Sequence, residues 1–430
     1  MDTNETKIQI VDHSHGGAFA ELTARLLQRH KVSQRSPGYK VGIDARVLYF
    51  SPSMERGIGA YTMSHLGHMF RLCSDWEFYL CVDEYHENEY FRELLGFPNV
   101  RVKTVEQNVA LDLFHIPDPM SIIAGFDSPF LVAPRGPSSA IFYDLTPLTM
   151  REMHFDRWEP LSQIAYRSRL KQMRACGCQV LAISESTKSD LVKLCGFPAE
   201  RITPIMAGLN SNKVSGSPGE GELQAARLRY GLNKPFFLVV GGLEAHKNFP
   251  VTANAFITAR GSRDIQLAVV GGTADPYKNV FREALQREGV TDVVFTGFVS
   301  REDLTCLYNT AAGLVFPSRY EGFGFPPLEA MANRCPVITS NVSSLPEICG
   351  DAALLVSPDD QEGIARAMVR LVDDRTLRAQ LVDRGMRRAQ QFTWERTAAL
   401  TRQSWEGLIS PNALTQGGAP EPRSTGARAT

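Results

Sequence analysis

The sequence predicts an α/β protein built from two Rossmann-like, doubly wound domains. Three observations predict it. At 430 residues the chain is long for one domain and comfortable for two. Apolar runs of strand length alternate with amphipathic stretches, and the second half repeats the rhythm of the first. Several runs end in glycine, as in FFLVVGG (236–242) and IQLAVVGG (265–272). Ligands in open parallel sheets bind beyond the carboxyl ends of the strands, where such glycines would lie.

Composition removes several function classes. A hydrophobic content of 43% and a charged content of 22% are ordinary for a soluble globular protein. A net charge of −1 gives no global electrostatic basis for binding nucleic acid. No apolar run approaches the ~20 residues of a spanning helix. The start, MDTNETKIQIVDHSHGG, lacks the basic and then apolar blocks of a secretory signal. The eight cysteines are scattered, and only Cys176 and Cys178 lie close, at neither a zinc nor a redox spacing. They read as reduced thiols of a cytoplasmic protein.

Residues 1–37 form an extension with a strand over 8–11 and an amphipathic helix over 18–30. Its basic cluster (Arg25, Arg29, His30, Lys31, Arg35) suits either a solvated face or anionic lipid. His13 and His15 beside glycines make no metal site. KVGID (40–44) is the first strand of the sheet. Gly57 and Gly59 then form a loop before a helix over 61–72, whose His65 and His68 are expected on a partly solvated face. As a dinucleotide fingerprint the glycines fail, because they do not follow the strand directly and a third is missing. Strands follow over 76–83 and within 111–119, the latter running into His115 and Asp118.

SAIFY (139–143) is the next strand, and DLTP is its exit. Tyr143 and Asp144 therefore sit at a carboxyl strand end, where an acceptor can be oriented. The other reading of Asp144 is a carboxylate capping the next helix or tying down its loop. The helix over 157–177 carries Arg167, Arg169, Lys171 and Arg174, a solvated face or one that meets an anionic acceptor or membrane. QVLAIS (179–184) is a strand, SESTKSDL (184–191) a helix start, and residues 198–210 a hinge.

In the second half, Lys247 follows a glycine-ended strand, in the loop before a helix over 248–259. An ammonium there can neutralise a departing diphosphate without a metal. Strands over 265–272 and 292–300 and a helix over 301–311 lead to the strand 311–318. Next comes EGFGFPPLEA (321–330), with Glu321 and Glu329 eight residues apart. Gly322 and Gly324 let the loop bend round Phe323 and Phe325 and approach a ligand. Pro326 and Pro327 suit a first helical turn, whose unpaired N–H groups favour an anion. Two carboxylates flanking an anion site suit a ligand with both phosphate and hydroxyls, such as a nucleotide sugar. The plainer reading is a strand–loop–helix unit with two solvated glutamates. A strand over 335–340, a loop with Glu347 in a structural place, and helices over 362–374 and 377–392 follow.

The 321–330 stretch resembles the E-x7-E motif of the retaining glycosyltransferases of family 4. VVGGLEAHKN (239–248), LAISESTKSDL (181–191), FYDLTPL (142–148) and GIDARVLY…GIGAYT (42–62) fall in that family's order. SNVSSLPEICGDAALLVSPDD (340–360) is similar to the segment after the motif in bacterial members, many of them mannosyltransferases. The resemblance covers residues 38–405. It implies the GT-B fold, two Rossmann-like domains facing a central cleft. The expected parts are an acceptor-side domain over 38–207, a nucleotide-sugar domain over 208–392, and a helix over 393–409 crossing back to the first. A disordered Gly/Pro-rich tail would occupy 410–430.

The resemblance also implies roles. Glu321 would contact the transferred sugar and Glu329 the ribose hydroxyls. Lys247 would meet the diphosphate with Gly241, Gly242 and the 322–325 loop. The backbone at Phe298 and Val299 would read the base. Gly57 and Gly59 would approach the donor phosphates or the acceptor. Tyr143 and Asp144 would serve the acceptor, with Tyr143 where many members have histidine. Gly242 and His246 stand where members carry arginine, which leaves Lys247 as the surer phosphate contact. No DxD pair ends a strand, so no cofactor and no obligatory metal are expected. The expected activity is hexose transfer, best mannose from GDP-mannose, to a glycan or polyprenyl-linked acceptor in surface polysaccharide synthesis. The expected place is the cytoplasm, with a peripheral contact at the inner membrane face. The other readings are a nucleotide-sugar hydrolase or epimerase and a non-catalytic binding protein.

Overall fold

The structure is a computed structural model. It describes residues 38–49, 57–104, 109–120, 136–209, 218–261, 263–271 and 277–410. The strand and helix expected within residues 1–37, the basic cluster there, His13 and His15, and the tail beyond 410 lie outside these residues.

Two parallel sheets organise the described chain. The first contains β1 (Lys40–Asp44), β2 (Glu77–Val82), β3 (Val100–Thr104), β4 (Leu113–Ile116), β5 (Ser138–Phe142), β6 (Gln179–Ala182) and β7 (Ile202–Pro204). Its spatial order is β3-β2-β1-β4-β5-β6-β7. The second contains β8 (Phe236–Val240), β9 (Gln266–Val270), β10 (Val293–Gly297), β11 (Gly313–Phe316), β12 (Val337–Ser340) and β13 (Ala353–Val356). Its order is β10-β9-β8-β11-β12-β13. In each sheet the strand order reverses once, between β1 and β4 and between β8 and β11, and such a reversal opens a crevice for ligand.

β4, β5, β6, β11 and β12 are buried at every position. That is why their sequences read as unbroken apolar runs, with helices covering both faces. Around the first sheet lie α1 (Gly57–Leu72), α2 (Glu89–Leu95), the single turn α3 (Thr146–Thr149), α4 (Pro160–Ala175) and α5 (Glu185–Cys195). With the second go α6 (Glu220–Arg229), α7 (Phe249–Arg260), α8 (Tyr277–Arg287), α9 (Arg301–Thr310) and α10 (Phe325–Ala332). They are followed by α11 (Leu345–Cys349), α12 (Gln361–Asp373) and α13 (Arg375–Ala389).

The last helix, α14 (Trp394–Ile409), buries a stripe of Trp394, Thr397, Ala398, Thr401, Trp405 and Ile409. The stripe lies on the first domain. Thr401 Oγ1 is 2.9 Å from His65 Nε2 in α1, and Arg402 donates to Leu72 O at 3.2 Å. The Trp405 ring stacks on Trp76 and sits 5.0 Å from His115. The two crossings between domains run side by side, with Leu209 N donating to Phe392 O at 3.0 Å.

Three expectations are corrected here. Gly57 and Gly59 do not form a loop; they lie in the first turn of α1. His65 is fully buried, because α14 covers the face of α1 expected to meet solvent. Arg169 is also buried, donating to Pro119 O at 3.1 Å, whereas Arg167, Lys171 and Arg174 are exposed on α4.

Candidate functional site

The loop between β11 and α10 is held by two serines. Glu321 N–H donates to Ser343 Oγ at 3.0 Å. Ser344 Oγ donates to the carbonyls of Glu321, at 2.9 Å, and of Phe323. Helix α10 carries its prolines in the first turn, as the sequence requires. Its N-cap, Gly324, has φ 133°, a backbone state that an L side chain rarely adopts. Phe323 is turned inward against Phe325 and Phe392, so its ring belongs to the core and only its backbone to the loop.

Lys247 ends a 3₁₀ turn, Ala245–Lys247, and its Nζ lies 2.7 Å from Glu321 Oε1. The side chains are only 22% and 13% exposed, so the pair is poorly screened. Asn248 fixes the Lys247 turn by donating to Pro317 O in the loop and to Pro358 O after β13. His246 O accepts from Arg319 N at 2.8 Å, and the His246 ring lies 5.3 Å from His154. Burial, then the neighbouring ammonium, pushes the His246 imidazole down to about 4. It is therefore neutral at ordinary pH and adds no phosphate-binding charge beside Lys247. Gly241 N–H donates to Val270 O at 2.9 Å, and the Glu244 carboxylate lies over Gly242.

A cavity of about 430 Å³ opens along the same loop. Gly57, Ala60 and Tyr61 of α1 form one wall; Phe298, Val299, Leu304 and Tyr308 form another; Phe325 and Glu329 come from α10. Phe298 stands 77% exposed at the cavity, free to lie over a flat ligand. Tyr308 is buried and donates to Glu329 Oε2 at 3.4 Å. Burial, then the Glu329 charge, holds its phenol well above the usual range, so it stays a neutral donor. Largely apolar walls with one carboxylate suit a base and a ribose.

The first domain comes closest to the loop at Gly322. A Cβ on Gly322 would lie 2.1 Å from Tyr143 O and 2.6 Å from Asp144 Cβ, so only glycine fits this seam. The Tyr143 ring meets Tyr61 edge-on, and its hydroxyl is 3.2 Å from Thr62 Oγ1. Asp144 Oδ1 accepts from Thr146 N at 2.9 Å, the role of a carboxylate tying down a helical turn. Burial, opposed by that bond, raises the Asp144 carboxyl, with a smaller push from Glu321.

Tyr143, Asp144, Lys247, Glu321 and Gly322 thus form one cluster. Gly57, Phe298, Val299, Phe325 and Glu329 line the cavity beside it, while Gly59 is buried within α1. Sequence reasoning missed Arg301, Leu304, Thr305 and Tyr308 of the cavity. It also missed Thr187 and Tyr320, which tie the loop to the first domain. Tyr308 and Leu304 are four apart on a helix already expected, which was a usable signal. Among the described residues no three His, Cys, Asp or Glu gather where they could hold a metal ion.

Residues 222–388 match the family pattern described as glycosyl transferases group 1. The chain is 31% identical over 274 residues to the O-antigen chain mannosyltransferase B of Escherichia coli, covering 62% of this chain and 69% of that protein. It is 27% identical over 292 residues to the serotype-specific mannosyltransferase WbdA of Escherichia coli, covering 65% of this chain and 35% of that longer protein. Among solved structures, it superposes on Anabaena Alr3699/HepE in complex with UDP and glucose with a TM-score of 0.64. That match has 15% identity and covers 86% of this chain and 100% of the other. WaaG, a glycosyltransferase involved in lipopolysaccharide biosynthesis, superposes with a TM-score of 0.58 and 14% identity, over 86% and 99% of the two chains.

Proposed function

The chain belongs to the group 1 glycosyl transferases, is a glycosyltransferase of GT-B fold, and from that premise we propose that it transfers mannose from GDP-mannose to a glycan or polyprenyl-linked acceptor with retention at the anomeric carbon. The observation that carries this reading is the Lys247–Glu321 pair, joined by one short loop to the Glu329 cavity. The choice of mannose follows the names of two relatives, an O-antigen chain mannosyltransferase and a serotype-specific mannosyltransferase.

In this reading the nucleoside lies in the cavity, with Glu329 accepting from the ribose hydroxyls and the ring of Phe298 over the base. The diphosphate faces Lys247 and the start of α10, whose dipole favours an anion although Pro326 and Pro327 carry no N–H. Such preorganised charge costs no reorganisation when the sugar–phosphate bond breaks, and one well-placed donor contributes on the order of 3–4 kcal/mol. Glu321 contacts the sugar hydroxyls and lies near the cationic anomeric carbon. The acceptor hydroxyl enters from the Tyr143–Asp144 side and its proton passes to the departing phosphate. Lys247 and the helix start provide the positive charge, so no obligatory metal is proposed; transfer that survives EDTA supports this.

The acceptor side includes a peripheral contact at the inner membrane face, supported by exposed Leu161, Ile164, Arg167 and Lys171 on α4. No helix among the described residues is long and apolar enough to cross a membrane.

The test is thermal melting of wild type and Glu329→Ala against GDP, UDP, ADP, CMP and their sugar nucleotides, followed by transfer from the labelled sugar that binds. A shift with GDP-mannose alone, lost in the variant, supports the reading through mass action. A shift with UDP-sugars alone replaces the donor. Product formed at full rate without acceptor moves the assignment to hydrolysis.

A further inference from the structure

Glu347 lies in α11 of the second domain, yet its carboxylate is used by the first. Its two oxygens accept from Glu185 N and Ser186 N, each at 3.0 Å, in the opening turn of α5. Ser184 already caps that helix by accepting from Thr187 N, so Glu347 takes the two donors that the local cap leaves open. The same turn grips the donor loop. Thr187 Oγ1 reaches Gly322 O at 3.3 Å and Tyr143 O at 3.4 Å. One turn on, Asp190 accepts from the Tyr320 hydroxyl at 2.8 Å, and that hydroxyl accepts from Leu145 N at 3.3 Å. On its own side Glu347 is fixed by Arg388, which donates to the carbonyls of Glu347 and Ile348.

We propose that Glu347 is a positioning residue for the transfer reaction: its carboxylate, bound to the start of α5, clamps the Tyr320–Gly324 loop between the two domains and so sets Glu321 against the acceptor side. The proposal rests on the transferase reading of the loop. Glu347 itself lies outside the Glu329 cavity, so it acts on geometry and not on nucleotide affinity. A carboxylate is required because two backbone donors converge on two oxygens. A glutamine presents one oxygen and one N–H₂, which would face a donor with a donor. Charge-assisted bonds of this kind are the strong ones, and losing both lowers a rate that depends on them by about ten- to a hundredfold.

The experiment compares wild type, Glu347→Gln and Glu347→Ala in the full chain, with three readouts. Amide hydrogen exchange of a 184–190 peptide reports the two bonds. Nucleotide affinity by calorimetry reports the cavity. The rate of sugar transfer, or of donor hydrolysis if no acceptor is found, reports the chemistry. The expected result is faster exchange at 185 and 186 in both variants, nucleotide affinity within twofold of wild type, and kcat reduced about tenfold or more. Unchanged kcat with exposed amides overturns the proposal. So does a parallel loss of nucleotide affinity, which marks general damage to the fold. If wild type turns over no sugar nucleotide, the transferase reading fails instead, and the exchange data still report whether the clamp exists.

Discussion

Replacing Lys247 by methionine keeps an apolar stem and removes the ammonium, which lies 5.1 Å from the centroid of the Phe316 ring. The ammonium is 2.7 Å from Glu321 and mostly buried, so its loss acts in two ways. It leaves a half-buried carboxylate without its partner, next to the half-buried Asp144. It also removes the cation that faces the departing diphosphate. A preorganised donor of this kind is worth on the order of 3–4 kcal/mol in the transition state, so kcat should fall by about 10²–10³. The two effects separate in a double-mutant cycle with Glu321→Gln. If the ammonium serves the phosphate, Lys247→Met still costs about tenfold or more when Glu321 is already neutral. Single-turnover transfer of labelled sugar under saturating donor is the assay. Lys247→Met costing nothing in the Glu321→Gln background would refute the reasoning, because the lysine would then serve only to hold its glutamate.

Gly322→Ala forces a Cβ to within 2.1 Å of Tyr143 O, a backbone atom that cannot step aside; overpacking of about 1–3 kcal/mol and loss of transfer are expected. Wild-type stability and rate in that variant would contradict the closed seam. Burial pushes the His65 imidazole down to about 3, against an unfolded value near 6.5. Between those values the unfolded chain binds the extra proton, so stability is full above about pH 6.5 and falls as pH drops towards 3. The loss is about 2 kcal/mol at pH 5, and denaturant unfolding of His65→Asn should show a shallower decline over that range. An equal decline in both proteins would remove His65 as its cause. On α4, removing Arg167 and Lys171 together should weaken co-flotation with anionic vesicles by about thirtyfold, from about 1 kcal/mol per basic residue. Equal flotation with neutral vesicles would exclude the electrostatic contact.

The strand, loop and helix around Glu321 were legible because each signal is local. β11 is apolar along its length, Gly324 requires a positive φ, and two prolines mark a first turn. The edge strands β3 and β13 escaped notice. Each has exposed or half-buried positions, so its apolar signal is short and broken. Gly57 and Gly59 suggested a loop because glycine is a poor helix former, and packing of Tyr61 against Trp394 outweighs that preference. The misreading of His65 has a different origin. Helical spacing shows that a face exists, but not that a segment 336 residues later lies on it. The same holds for Glu347, whose partners are 161 and 162 residues away. Local pattern fixes an element's type, whereas the seam between two domains is written in contacts that no window of sequence contains.

The return of α14 to the first domain reverses the order in which the protein can be completed. A ribosome that has made all seven strands of the first sheet has not yet made the helix that covers His65, His115 and Trp76. The second sheet and its helices, made afterwards, have their layers in hand before Trp394 emerges. The domain synthesised first is therefore the last to be closed. Until then it carries an apolar groove shaped for its own C-terminal helix, and that groove is where a chaperone or a wrong partner would find it during synthesis.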